Sequence, residues 1–135
     1  MDAATIETHE GRTPSVSEFY AGKGILITGG TGFLGKCIVF RLLYDCPDLD
    51  RIYLLLRKKR QFSYSQRVER YLSYDLFKYL KDSSLLSKIE FIEGDIQYEK
   101  LGIKPEVMTA LQDKVHIILH SAADVRFMTG LEGAR

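Results

Sequence analysis

The chain has 135 residues, 45% of them hydrophobic and 27% charged, with a formal net charge of +1. That length supports one hydrophobic core and argues against a second domain, and the balanced charge gives no global field for nucleic acid or an anionic membrane. Cys37 and Cys46 form no C-x-x-C pair, and three scattered histidines add no metal-ligand cluster, so a reduced, intracellular protein without bound metal is expected.

Residues 1–20 are polar, with acids at Asp2, Glu7, Glu10 and Glu18, and they lack the apolar core of a secretory signal. They read as a flexible lead-in to one domain over residues 21–127. No segment approaches the roughly 18 to 20 apolar residues of a membrane span. A first strand is expected at Gly24–Thr28 and a first helix over residues 31–45. Leu34, Ile38 and Leu42 lie one turn apart, and Phe33, Cys37 and Leu43 widen that stripe into a face for the sheet. Cys46-Pro47 ends the helix, because proline removes a donor and disfavours helix in the residue before it. Arg51–Leu56 is almost continuously apolar, as suits a parallel strand covered on both faces. Val68, Leu72, Leu76 and Leu80 recur every four residues, supported by Phe77, and predict one helix over residues 65–80. A third strand at Ile89–Glu93 closes on Gly94-Asp95. Pro105 suits a first helical position and opens a short helix with Val107, Met108 and Leu111, before a fourth strand over residues 115–120. With right-handed crossovers, this β-α-β-α-β-α-β order predicts an α/β fold: the first half of a doubly wound, Rossmann-type parallel sheet in strand order 3-2-1-4.

Between the first strand and the first helix stands Gly29-Gly30-Thr31-Gly32-Phe33-Leu34-Gly35. A dinucleotide pyrophosphate needs strand, glycine turn and helix in that order. The strand aims the turn, glycines admit the phosphates, and the helix N-terminus offers free N–H groups and a positive dipole end. The run fits G-x-G-x-x-G (Gly30, Gly32, Gly35) and also a Gly-x-x-Gly-x-x-Gly spacing (Gly29, Gly32, Gly35). Glycines alone are weak evidence; between a strand and a helix they are strong. Gly29 is assigned the tight turn, Gly32 the close approach to pyrophosphate and Gly35 the packing of helix on strand, with Thr31, Phe33 and Leu34 completing the turn.

The end of the second strand sets the choice of nucleotide. An NAD-selective site places an acid there for the ribose hydroxyls. Here the strand runs into Arg57-Lys58-Lys59-Arg60, and Asp48 and Asp50 lie at its other end. Such a cluster suits a 2′-phosphate, so NADPH is the expected cofactor, with Arg57 its first partner and Lys58 its second. Lys59 and Arg60 read equally well as a solvated basic loop. After the third strand, Asp95 could bond the adenine amino group and Ile96 could flank the ring; the alternative for Asp95 is an ordinary turn aspartate. His120, Ala122 and Ala123 end the fourth strand at the switch point, where small residues let a ribose approach. His120 is read as a structural hydrogen-bonder. Tyr74-x-x-x-Lys78 has the spacing of the proton-transfer pair of short-chain dehydrogenases, but it lies between strands two and three. These two are read as surface groups on an amphipathic helix, and no catalytic residue is assigned.

Together these features resemble a known family over residues 16–127: the alcohol-forming fatty acyl-CoA reductases, a branch of the extended short-chain dehydrogenases. The resemblance rests on Tyr20-Ala21-Gly22-Lys23 leading into the glycine turn, on Ile52-Tyr53-Leu54-Leu55-Leu56-Arg57, and on His120-Ser121-Ala122-Ala123 with Val125-Arg126-Phe127. It implies NADPH-dependent reduction of a long-chain fatty acyl-CoA, through an aldehyde, to a fatty alcohol by two hydride transfers. The family's Tyr and Lys, with a Ser or Thr, protonate and polarise the carbonyl oxygen. The resemblance also implies a peroxisomal or endoplasmic-reticulum membrane setting and an acyl-CoA partner, and leaves homo-oligomerisation open. Residues 128–135 depart from the family pattern and form an atypical tail. The catalytic Tyr and Lys are missing from these 135 residues, so a cofactor-binding half without turnover of its own is expected. Two alternatives stand beside this: a non-catalytic NADP(H)-binding module, and another extended dehydrogenase acting on a sugar nucleotide or steroid. The insertion over residues 61–88 argues against the latter.

Overall fold

A computed structural model of the chain describes residues 13–57 and 61–122. Its sheet has four parallel strands, β1 (Gly24–Thr28), β2 (Arg51–Leu56), β3 (Ile89–Glu93) and β4 (Ile117–His120), in the order β3-β2-β1-β4. This is the doubly wound arrangement expected from the alternating elements. The register pairs Ile25 with Ile52 and Thr28 with His120, so the carboxyl ends of β1 and β4 lie side by side. All of β1 is buried, as is β2 from Ile52 onward. Side chains alternate between two cores. Ile25, Ile27, Ile52 and Leu54 meet α2 (Phe33–Asp45) and the segment after β2, whereas Leu26, Tyr53 and Leu55 meet Ile103 and Leu111 on the other face. Each such fully buried aliphatic side chain contributes about 1.5–3 kcal/mol.

Helix α2 turns a different face to the sheet from the one its leucine spacing suggests. Gly35, Val39, Phe40, Leu42 and Leu43 are buried, whereas Phe33 and Leu34 are exposed. The close seating of Gly35 on the turn sets the rotation, which carries Leu34 outward. The buried thiol is Cys46, and Cys37 is only half-buried. Burial, with Asp45 nearby, raises the Cys46 pKa.

The long helix expected over residues 65–80 is broken. Helix α3 spans Tyr64–Leu72, and a 3-10 turn follows at Asp75–Tyr79. The Ser73 hydroxyl donates to the Arg70 carbonyl at 3.0 Å, and Tyr74 is extended, with ψ of 134°. The break swings Phe77 onto the Tyr71 ring, centroid to centroid 5.3 Å, and buries Leu80. The four-residue spacing is satisfied through two elements instead of one. Tyr74 and Lys78 therefore share no helix; Lys78 is exposed and paired with Asp75 at 3.0 Å.

Two further α-helices and two 3-10 turns, at Ser83–Lys88 and Glu99–Gly102, belong to the described fold. Helix α1 (Val16–Tyr20) is capped by Ser15 and Glu18, and helix α4 (Pro105–Gln112) has Pro105 in its first turn. The Gly22 N–H donates to the Asp48 carbonyl at 2.9 Å, which ties the chain after α1 to the segment before β2. Strand β4 is shorter than expected, beginning at Ile117. Ile117 and Leu119 pack on the α2 side, while Ile118 is 64% exposed on the other. Among the described residues no helix is long and apolar enough to cross a membrane.

Candidate nucleotide-binding site

The glycine turn occupies the sheet's switch point, between the ends of β1 and β4. Gly29 has φ of +71°, a conformation costly for any side chain. A side chain there would also meet the Ala122 backbone, and one at Gly35 would fall on the Gly29 carbonyl and the Gly30 Cα. The fold itself demands these two glycines. It makes no such demand at Gly32, which has φ of −76° and ψ of 175°, and where an added Cβ would come no nearer than 3.6 Å to another group, the Gly29 carbonyl oxygen. Gly32 is exposed and is the N-cap of α2, with no side-chain cap bond and no acid in the first turn. The first-turn amides of Phe33, Leu34 and Gly35 have no intrahelical acceptor. A helix entered this way is an open cradle for an anion.

The other sequence-predicted residues gather at the same sheet edge. Thr28 Oγ1 lies 2.6 Å from His120 Nδ1, and the Ser121 hydroxyl donates to the Thr28 carbonyl at 2.8 Å, so His120 and Ser121 clamp β4 to β1. Ala122 is half-buried against Gly29. Arg57 follows β2 with its side chain exposed, and its carbonyl accepts a bond from Nη1 of Arg67 on α3. Asp95 follows β3, and its Oδ1 accepts from the Gln97 N–H at 3.0 Å, the geometry of a turn aspartate. Ile96 is half-buried and packs on the second core. Lys58 and Ala123 lie outside the described residues, as do Lys59, Arg60, residues 125–127 and the tail at 128–135. Among the described residues no cluster of three His, Cys, Asp or Glu could hold a metal ion.

Sequence reasoning missed a cavity of about 290 Å³ beside the glycine turn. Thr31 of the turn, Lys36 of α2 and Arg67, Arg70 and Tyr71 of α3 line it, with the rings of Phe62 and Tyr74. The Lys36 ammonium sits 4.2 Å from the centroid of the Tyr74 ring, and the Arg70 guanidinium 4.3 Å from that of Phe62. Burial, with Arg57 nearby, lowers the Arg67 pKa. Tyr71 is only 4% exposed, its hydroxyl has no partner, and burial pushes its pKa up. The available signal was Arg67 and Arg70, three apart and so on one face of a helix. Nothing in that spacing shows that the face turns toward the glycine turn.

A parallel sheet with an uncapped glycine turn at its switch point defines a Rossmann-type domain for a nicotinamide nucleotide. An NAD-binding family described as Male sterility protein matches residues 27–135, and the chain belongs to that family. Fatty acyl-CoA reductase 1 of Homo sapiens is 39% identical over 122 residues, covering 89% of this chain and 24% of its own length. Fatty acyl-CoA reductase 2 of Bos taurus is 40% identical over 114 residues, covering 83% and 22%. The chain thus spans about a quarter of the length of these relatives. Among solved structures, the terminal R domain from the myxalamid PKS-NRPS biosynthetic pathway superposes with a TM-score of 0.66 at 31% identity, over 85% of this chain and 28% of that one. The family is one of oxidoreductases with a nicotinamide cofactor.

Proposed function

We propose that this chain is the cofactor-binding portion of an NADPH-dependent fatty acyl-CoA reductase that forms long-chain fatty alcohols. The observation that carries the reading is Gly32: neither backbone strain nor packing calls for a glycine there, so the space it leaves serves a group from outside the chain. The amides of Phe33, Leu34 and Gly35 would hold the diphosphate. Bound NADPH supplies the hydride that reduces the acyl carbonyl. The absence of an acid after β2 and the basic residues there and on α3 support the phosphorylated cofactor over NADH. An acyl-CoA substrate is supported by the names of the relatives.

The test is calorimetric titration of the chain with NADPH and with NADH. NADPH should bind at least about tenfold more tightly, the difference made by one charge-assisted phosphate contact. Equal affinities would remove the preference for NADPH, and no binding of either would remove the whole reading.

A further inference from the structure

We propose that β4 is fastened to β1 by an acid-released clamp at one end, with the His116 imidazole as the latch and the Gly24 amide as the catch. The clamp lies at the end of the sheet opposite the glycine turn and is independent of what that turn binds.

Strand β4 needs such a fastening because it lies at the edge of the sheet. Among the described residues its strand neighbour is β1 alone. The ladder between the two runs from Ile25 with Ile117 to Thr28 with His120, so Gly24 and His116 lie just outside its first step. There His116 holds Gly24 twice. The His116 N–H donates to the Gly24 carbonyl at 2.9 Å, and the Gly24 N–H donates to His116 Nδ1 at 3.0 Å. The two segments run so close that a Cβ on Gly24 would fall on the Lys114 carbonyl. Gly24 is buried, whereas His116 is exposed. The catch is shielded from water and the latch is open to protons.

A ring nitrogen that accepts from an amide carries no proton, so the clamped imidazole is neutral, with its hydrogen on Nε2. A proton taken up in acid goes to Nδ1, which then meets the Gly24 N–H as donor against donor. The bond is therefore present above the titration of the ring and lost as the pH falls through it. A buried amide without an acceptor is unfavourable, so this end of β4 parts from β1 and water reaches Gly24.

The opposite end of β4 answers acid differently. His120 Nδ1 lies 2.6 Å from Thr28 Oγ1. A hydroxyl both donates and accepts, so Thr28 serves the neutral ring as donor and the protonated ring as acceptor. The Ser121 hydroxyl and N–H both donate to the Thr28 carbonyl, at 2.8 and 3.1 Å, and neither titrates. The end beside the glycine turn thus stays fastened while the His116 end opens.

Charges around His116 come from several elements and balance in sign. Lys23 leads into β1, with its ammonium held by the Phe19 carbonyl at 2.8 Å. Lys114 shares a groove with Asp50 just before β2, Arg51 and Tyr53 on β2, and Glu90 on β3. Asp113 caps the end of α4. Cations and carboxylates offset one another there, which leaves the Gly24 bond to decide the response.

The test is amide hydrogen exchange on the whole chain, read by NMR at about pH 8 and about pH 5, on either side of the ordinary histidine range. Rates are corrected for the intrinsic pH dependence of exchange. Gly24 protection should fall at least about fivefold in acid, as for a buried donor left unpaired, while Ser121 protection holds. His116→Asn puts an uncharged carbonyl oxygen in the place of Nδ1 and should keep Gly24 protected at both pH values. His116→Ala should make Gly24 as exchangeable at the higher pH as it is in acid in the unsubstituted chain. Gly24 protection that ignores pH overturns the clamp, as does an equal acid loss in His116→Asn, which would assign the response to another group. Equal loss at Gly24 and Ser121 overturns it too, because the strand would then loosen as a whole. Full protection in His116→Ala would show that the imidazole is not the acceptor.

Discussion

Helices α3 and α2 begin in opposite ways. At the start of α3, the Ser63 hydroxyl accepts from the Gln66 N–H at 3.2 Å, and Gln66 Oε1 accepts from the Ser63 N–H at 2.9 Å. The short α1 closes itself likewise through Ser15 and Glu18. Helix α2 starts on Gly32 and offers its first-turn amides no side-chain partner. Glycine at an N-cap gives up only a few tenths of a kcal/mol relative to serine. A small loss of stability thus keeps a positive helix end open to an anion, while α1 and α3 satisfy their own first-turn donors with side chains.

The contrast can be broken hardest at Gly35. Gly35→Ala drives a methyl group into the Gly29 carbonyl and the Gly30 backbone, neither of which can swing aside. Overpacking of this kind should cost about 3 kcal/mol, read as a lower urea midpoint; an unchanged midpoint would show that the turn relaxes and that the cradle is not rigid. Gly32→Val separates the other role. Its backbone is extended, which a β-branched residue adopts readily, so stability should move by less than about 1 kcal/mol. NADPH binding by calorimetry should fall at least about 100-fold, as the methyls occupy the diphosphate's place and deny it several charge-assisted bonds. Retained affinity would mean that the cofactor does not use this turn. Ser63→Ala makes the complementary break on α3. It should lower stability by about 1 kcal/mol and leave the affinity for 5′-AMP as it was; a matching loss of 5′-AMP affinity would couple α3 to the diphosphate end.

How much of this was readable from the chain depends on which residues carried the signal. Strands β1 and β2 were legible because burial on both faces leaves continuous runs such as Ile52-Tyr53-Leu54-Leu55-Leu56, while β3 keeps its expected bounds with Glu90 and Glu93 exposed. The turn was legible because its glycines are a steric requirement of the local path. The face of α2 was not. Periodicity counts Leu34 with Ile38 and Leu42, but contact at Gly35 turns Val39, Leu42, Leu43 and Cys46 inward. Glycine has no hydropathy with which to announce that contact. The i, i+4 spacing of Leu72, Leu76 and Leu80 concealed a change from α-helix to 3-10 turn, because both geometries can bury those residues. Arg67 and Arg70 were not singled out in the sequence, since only the tertiary approach of α3 to Lys36 and Thr31 turns them into a cavity wall.

The smallest effect gives the sharpest comparison. Gly32→Ser places on α2 the hydroxyl that α3 already has, at a backbone angle (φ −76°, ψ 175°) close to that of Ser63 (φ −66°, ψ 166°). The added oxygen should accept from a first-turn amide and raise stability by a few tenths of a kcal/mol, measured as a slightly higher urea midpoint at unchanged slope. NADPH affinity should fall, because the same amides cannot serve the cap and the diphosphate together. Stability and binding then move in opposite directions from one atom. If both rose, the first-turn amides would not be the groups that hold the nucleotide, and the difference between α2 and α3 would be a matter of helix capping alone.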